Sequence, residues 1–214
     1  MEIGYEMKSF HIPKTIDNDL LETDHTPGYG SAARCVAHAF QGDDAEMRSL
    51  KGIKINILMG RHAGWLTAAS TLGKVTEDDG PHLVYFPEKP FIIEEFKKDV
   101  KDIYDSLGRC VVAVSEGIQG QDGEYFLQTY AKQTGSNLAG KKDSHGNIQL
   151  SGSGLLGDTL AEIVSKHIET ARVRADTFGY LQRSFLADIS EVDAEEAERV
   201  GKHAVVSSRN QNSG

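Results

Sequence analysis

The chain has 214 residues, with 23 basic against 32 acidic side chains and a formal net charge of −9. A duplex-binding surface needs clustered Lys and Arg to neutralise phosphates; here the basic residues are outnumbered and scattered, which argues against nucleic acid as a partner. The longest apolar runs, such as 110–114, are about a quarter of the roughly 20 residues that cross a bilayer, so no membrane-spanning helix is expected.

The first residues, Met1 to Glu6, lack the basic and apolar regions of an export signal, and a cytosolic location is expected. Phe10-His11-Ile12-Pro13 reads as the end of a strand with almost nothing upstream to pair with it. The segment Pro13-Lys14-Thr15-Ile16-Asp17-Asn18-Asp19 follows as a loop, because Pro13 and the Asx residues disfavour regular structure. A helix is expected over 31–40, a strand over 53–59, and a helix over 62–72 whose Trp65 reads as core. Next come a strand over 83–86 and a helix over 92–107, with Ile92, Ile93, Phe96, Val100, Ile103, Tyr104 and Leu107 on one stripe and Gly108 ending it.

A strand over 109–115 and a helix over 123–133 come next, then polar loop composition over 140–147. A helix beginning near Asp158 has a capping box in Thr159 and Glu162 and a buried face of Leu160, Ile163, Val164, His167, Ile168 and Ala171. The last elements are a strand over 173–178, a helix over 193–203 and a polar tail over 207–214. Cys35 and Cys110, far apart in sequence, read as small core side chains in a reducing compartment. Strand-like and helix-like periodicities alternate, which is the pattern of an α/β fold with a mostly parallel sheet. The chain carries 22 glycines, about 10% against the usual roughly 7%, which suggests loops that embrace a ligand.

Four segments carry candidate chemistry. Asp17 and Asp19 stand two apart, so an extended loop points both carboxylates to one side. One could take a proton while the other engages Mg²⁺. On spacing alone, a solvated Asx turn is the simpler account. Met59-Gly60-Arg61 leaves a strand and enters a helix; it reads equally as an anion site and as a tight turn. Glu116, between Ser115 and Gly117, lies at a strand exit and could accept sugar hydroxyls or cap the following loop. Arg172, Arg174 and Arg183 are plausible phosphate ligands, with surface ion pairs as the alternative. Gly152-Ser153-Gly154-Leu155-Leu156-Gly157, with Asp176 downstream, matches a dinucleotide fingerprint, but residues 147–151 are too polar for the buried strand that should precede it. The eight histidines lack H-E-x-x-H or similar spacing, which argues against zinc.

Taken in order, Pro13 to Asp19, Met59-Gly60-Arg61, Ser115-Glu116-Gly117 and Gly179-Tyr180-Leu181-Gln182-Arg183 resemble the successive sugar-phosphate motifs of the 6-phosphofructokinases. Lys14 resembles the pyrophosphate-dependent branch, where ATP-dependent members usually carry glycine; Tyr180 and Gln182-Arg183-Ser184 lean the same way. The resemblance implies a three-layer αβα fold, present in part. It divides the chain into the end of a donor-binding domain (1–45), a fructose 6-phosphate domain (46–184) and the start of the return to the donor domain (185–214).

It further implies a glycolytic phosphotransferase, moving a phosphoryl group from pyrophosphate to the C1 hydroxyl of fructose 6-phosphate. In this reading Asp17 is the base and Asp19 organises Mg²⁺, with Thr15 and Lys14 near the transferring group. Met59, Gly60 and Arg61 bind sugar and stabilise charge, Glu116 accepts hydroxyls, and Arg174, Tyr180 and Arg183 surround the 6-phosphate. A cytoplasmic homo-oligomer with sites near the subunit interface is implied. There are departures. The glycine-rich donor loop has no counterpart here, and the final sheet elements are cut short. Ile57 stands where many members have Glu. No arginine lies seven residues before Met59, a place Lys51 or Lys54 could fill. An NAD-binding oxidoreductase domain and a non-catalytic sugar-phosphate-binding fragment are the alternatives.

Overall fold

In the computed structural model, which describes residues 7–135 and 153–210, four strands form one parallel sheet in the order β2-β3-β1-β4. They are β1 (Gly52–Leu58), β2 (Leu83–Tyr85), β3 (Arg109–Ser115) and β4 (Val173–Thr177). The helices are α1 (Tyr29–Leu50), α2 (Trp65–Ala69), α3 (Ile93–Leu107), α4 (Phe126–Thr134), α5 (Leu155–His167) and α6 (Glu191–Asn210). The central strands β1 and β3 are buried along their whole length, as expected where helices cover both faces of a parallel sheet.

The period-two alternation of those strands sorts their side chains into two cores. Ile53, Ile55 and Ile57, with Cys110, Val112 and Val114, meet Phe96 and Val100 of α3, Phe126 and Leu127 of α4, and Leu156, Leu160, Ile163 and Val164 of α5. Leu58, Val111 and Ala113 face the other way, onto Val36, Phe40 and Met47 of α1. On that second face β1 also carries Lys54 and Asn56, both buried. Burying them requires partners. Lys54 is ion-paired with Asp176 and lies 4.0 Å from Asp43, while the Asn56 amide donates to Asp43 at 2.5 Å. Lys54 is thus committed inside the fold, and Lys51 is exposed below the first residue of β1, at the opposite end from Met59.

The stripe expected for α3 is observed, with Phe96 and Val100 buried and Gly108 in the left-handed conformation at its end. Both cysteines are buried and free. Several expectations are corrected. Residues 10–12 are irregular rather than strand. The 31–40 helix continues to Leu50 despite Gly42 and Asp43, because Phe40, Asp44 and Met47 fall on its buried side at helical spacing. The 62–72 helix begins only at Trp65, after a turn, and passes into a 3-10 segment, Ser70–Gly73; Trp65 is 52% exposed and is not core. The capping box is absent: α5 starts at Leu155, its Thr159 hydroxyl donates to the Leu155 carbonyl at 2.7 Å, and His167 is exposed. The final helix, α6, takes in residues 207–210 of the expected polar tail, and residues 211–214 lie outside the described residues. The loop expected over 140–147, and Gly152 with its preceding strand, lie outside the described residues.

Candidate active site

The carboxyl ends of β1 and β3 leave the sheet side by side, and their loops are laced together. The Glu116 N–H donates to the Leu58 carbonyl at 2.9 Å, and the Ser115 hydroxyl donates to the Gly60 carbonyl at 2.5 Å while accepting the Gly117 N–H at 3.1 Å. Gly60 has φ 124°, and a Cβ there would stand 2.3 Å from the Ala63 carbonyl oxygen. At Gly117 a Cβ would stand 2.0 Å from the Arg61 carbonyl oxygen. Side chains are excluded at both positions so that the two backbones can touch. The result seats Met59, Gly60, Arg61 and Glu116 in one cleft wall. Glu116 is only 7% exposed.

Asp17 belongs to the loop that precedes α1. Its N–H is held by the Thr15 hydroxyl at 3.1 Å. The next residue, Asn18, has φ 57° and a buried side chain that accepts from the Thr26 N–H at 2.9 Å and the Thr26 hydroxyl at 3.1 Å, and donates to the Asp24 carbonyl at 3.2 Å. Asparagine tolerates the left-handed conformation and replaces missing backbone bonds, so it pins the loop. Asp17 Oδ1 is left buried without a hydrogen-bond partner. Burial pushes the Asp17 carboxyl above its ordinary range, the Asp19 carboxylate adds to this, and His62 and Arg61 pull against it. Those four groups therefore share one electrostatic neighbourhood. The Tyr125 phenol extends it: burial raises its pKa, Arg61 lowers it and Glu116 raises it.

The remaining expected residues are spread more widely. Lys14 is exposed at the entrance to the Asp17 loop. The Phe178 N–H donates to the Ile57 carbonyl at 3.0 Å, which brings the Gly179–Arg183 turn to the same end of the sheet. There the Arg183 guanidinium sits 4.2 Å from the centre of the Tyr180 ring, and the Gln182 amide donates to the Gly179 carbonyl at 3.1 Å. Arg174 is not part of this cluster; it lies alongside Lys54, partway along β4, and pairs with Glu46 of α1 at 3.5 Å. Asp176, the acidic residue of the nucleotide fingerprint, is bound by Lys54.

Sequence reasoning gave no role to Asn18, His62 or Tyr125. Only Asn18 left a signal, an asparagine inside a segment without regular structure.

A parallel sheet with paired loops at its carboxyl edge is the α/β arrangement in which ligands bind beyond the strand ends. Residues 2–207 match the phosphofructokinase family profile, and the chain belongs to that family. It is 53% identical over 201 residues to the pyrophosphate–fructose 6-phosphate 1-phosphotransferase of Rhodospirillum rubrum, covering 94% of this chain and 48% of that protein. It is 33% identical to the sulfofructose kinase of Alkalicoccus urumqiensis, covering 100% of this chain and 52% of that one. The crystal structure of a pyrophosphate-dependent phosphofructokinase from Marinobacter aquaeolei superposes with a TM-score of 0.75 at 31% identity, covering 97% of this chain and 46% of that chain. The chain thus spans about half the length of the relatives it matches. These findings give the oxidoreductase alternative no support.

Proposed function

We propose that this chain carries the sugar-phosphate half of a pyrophosphate-dependent phosphofructokinase. Asp17 takes the proton of the C1 hydroxyl of fructose 6-phosphate as that oxygen attacks a phosphorus of pyrophosphate. The bridging P–O bond breaks and phosphate leaves. The observation that carries this reading is the Asp17 carboxyl itself: half-buried, raised in pKa, with one oxygen unpartnered and Asp19, Arg61 and His62 as its neighbours. A base of raised pKa is matched to abstracting an alcohol proton. Phosphoryl transfer otherwise asks for positioning and for cations around a loose transition state.

Arg61 supplies positive charge beside the base, Met59 and Gly60 form the sugar wall, and Glu116 accepts hydroxyls. Thr15 orders the backbone at Asp17 and lies near the transferring group. Tyr180 and Arg183 face the 6-phosphate from the next strand exit, and Lys14 meets the donor. Arg174, held away from this cluster, would serve the sugar phosphate of a neighbouring copy in a cytoplasmic homo-oligomer. The exposed carboxylate of Asp19 fits a hard divalent cation such as Mg²⁺, which when bound would spread the charge of pyrophosphate. The division at about residues 45 and 184 is part of the same reading; α1 itself runs unbroken across the first of these points.

The test is phosphotransfer from pyrophosphate, assayed in this chain and in parallel in a full-length relative with the same motifs. Asp17→Asn should remove turnover while fructose 6-phosphate still binds. Substantial residual activity would refute the assigned base. Lys14→Gly should weaken use of pyrophosphate, and an unchanged donor preference would remove Lys14 from the argument. Binding of fructose 6-phosphate without turnover in the unsubstituted chain would leave the non-catalytic alternative.

A further inference from the structure

A second polar cluster lies apart from the Asp17–Arg61 cleft, where the loop before α1 meets the first turns of α6. His25 stands between two carboxylates. Its Nδ1 is 2.6 Å from Glu196 Oε2, and its Nε2 is 3.4 Å from Asp193 Oδ1. One ligand atom from each of the three residues lies within 4.8 Å of the others. From these contacts we propose a site for a zinc-class divalent cation, ligated by His25 Nε2 and Asp193 Oδ1, with Glu196 holding the other ring nitrogen.

Three observations carry it. First, Asp193 is 5% exposed, and its two oxygens are used unequally. Oδ2 accepts the Ser31 N–H at 2.6 Å and the Ser31 hydroxyl at 2.5 Å and the Gly28 N–H also acts on this carboxylate, whereas Oδ1 is buried without a hydrogen bond of good geometry. An orphaned buried carboxylate oxygen is costly unless a cation meets it. Second, the short contact to Glu196 sets the tautomer. With the proton on Nδ1, Nε2 presents a lone pair toward Asp193 Oδ1, and two acceptors then face each other. A separation of 3.4 Å also suits two ligands of one tetrahedral ion bonded at about 2.0–2.2 Å. A ligating histidine whose second nitrogen donates to a carboxylate is the usual arrangement around such metals. Third, Gly30 borders the two ligand atoms. A Cβ there would lie 3.3 Å from Asp193 Oδ2 and 3.6 Å from both Asp193 Oδ1 and His25 Nε2, so the absence of a side chain keeps that space beside them unfilled. His25 is partly exposed, which leaves water to complete the coordination.

The sequence reading against zinc rested on close spacing of histidines; this set joins residues 168 positions apart, which only the packing of α6 on α1 brings together. The next residue after His25 is Thr26, whose N–H and hydroxyl hold Asn18. A cation here would staple the Asp17 loop to α6. The site does not depend on the phosphotransferase reading.

The test uses this chain, stripped with chelator, titrated with Zn²⁺ by calorimetry and with Co²⁺ by visible absorption. The expected result is one equivalent bound at micromolar affinity, a tetrahedral Co²⁺ spectrum and a rise in melting temperature with Zn²⁺. His25→Ala should abolish all three, and Glu196→Ala should weaken binding by about 10- to 100-fold. Gly30→Ala, which crowds the space without touching a ligand, should weaken it too. Fructose 6-phosphate binding and phosphotransfer are not read. Zinc binding that survives His25→Ala, or none in the unsubstituted chain, overturns the proposal; the latter would mean that a proton alone bridges His25 and Asp193.

Discussion

At the scale of single residues, the base role proposed for Asp17 runs against stability. An ionised carboxylate kept partly from water with one unpartnered oxygen disfavours the folded state at neutral pH, because folding raises its pKa. Asp17→Asn should therefore raise the melting temperature at pH 7 even as it removes turnover; a lower melting temperature would show that the carboxylate is structurally required. Asn18 acts through position. Asn18→Ala deletes three hydrogen bonds and leaves an alanine at φ 57°, and it should cost about 1–3 kcal/mol by denaturant unfolding. If it positions Asp17, kcat should fall more than KM rises.

Asp79 gives the opposite pH signature. Its carboxylate accepts from the Val75 N–H at 2.8 Å and the Thr76 N–H at 2.9 Å, and these bonds with the Thr76 hydroxyl hold its pKa well below the ordinary value. Stability from this turn is present above the unfolded value of about 4 and is lost as the pH falls toward the folded one. Asp79→Asn should narrow its gap from the unsubstituted chain in acid, as read by melting curves between neutral pH and pH values below that range.

At the scale of elements, all four strands were legible because short apolar runs between turn residues have few other uses. Helix existence was legible too, as was the start of α3, but the starts of α2, α4 and α5 were each displaced by a few residues. α1 begins at Tyr29, after a Gly28 that has no side chain to cap it, and its N-terminal Ser31 N–H is satisfied by Asp193, from far along the chain. No local pattern announces a cap supplied by another helix. Asp193→Ala, measured with chelator present, should lower stability by about 1–2 kcal/mol, the range of a lost N-cap. The strand exits were legible as glycine-bearing turns, yet their glycines could not be ranked. Gly117 is the more demanding, since a Cβ would overlap the Arg61 backbone, and Gly117→Ala should disrupt the cleft or the fold, seen as lost fructose 6-phosphate binding and a lower melting temperature.

At the scale of the whole molecule, the sheet separates two cores, and the larger one is where truncation should cost most. Leu160→Ala, at a fully buried position between α5 and β1, should destabilise by about 2–5 kcal/mol, checked by urea unfolding. The order of motifs along the chain led to the family, since four short segments at successive loops constrain more than any one does. Distances between segments remained hidden. Arg174 was grouped with Arg183 by sequence proximity, but a strand carries it toward Glu46 and away from the turn.

The main-chain lacing between Leu58 and Glu116, tightened by Ser115 on Gly60, has a kinetic corollary. A hexose would enter a mould already set, and little ordering entropy would be spent there on arrival. Any rate-limiting rearrangement would then fall to the asparagine-pinned segment that carries Asp17, and exchange broadening in NMR relaxation should concentrate around residues 15–26.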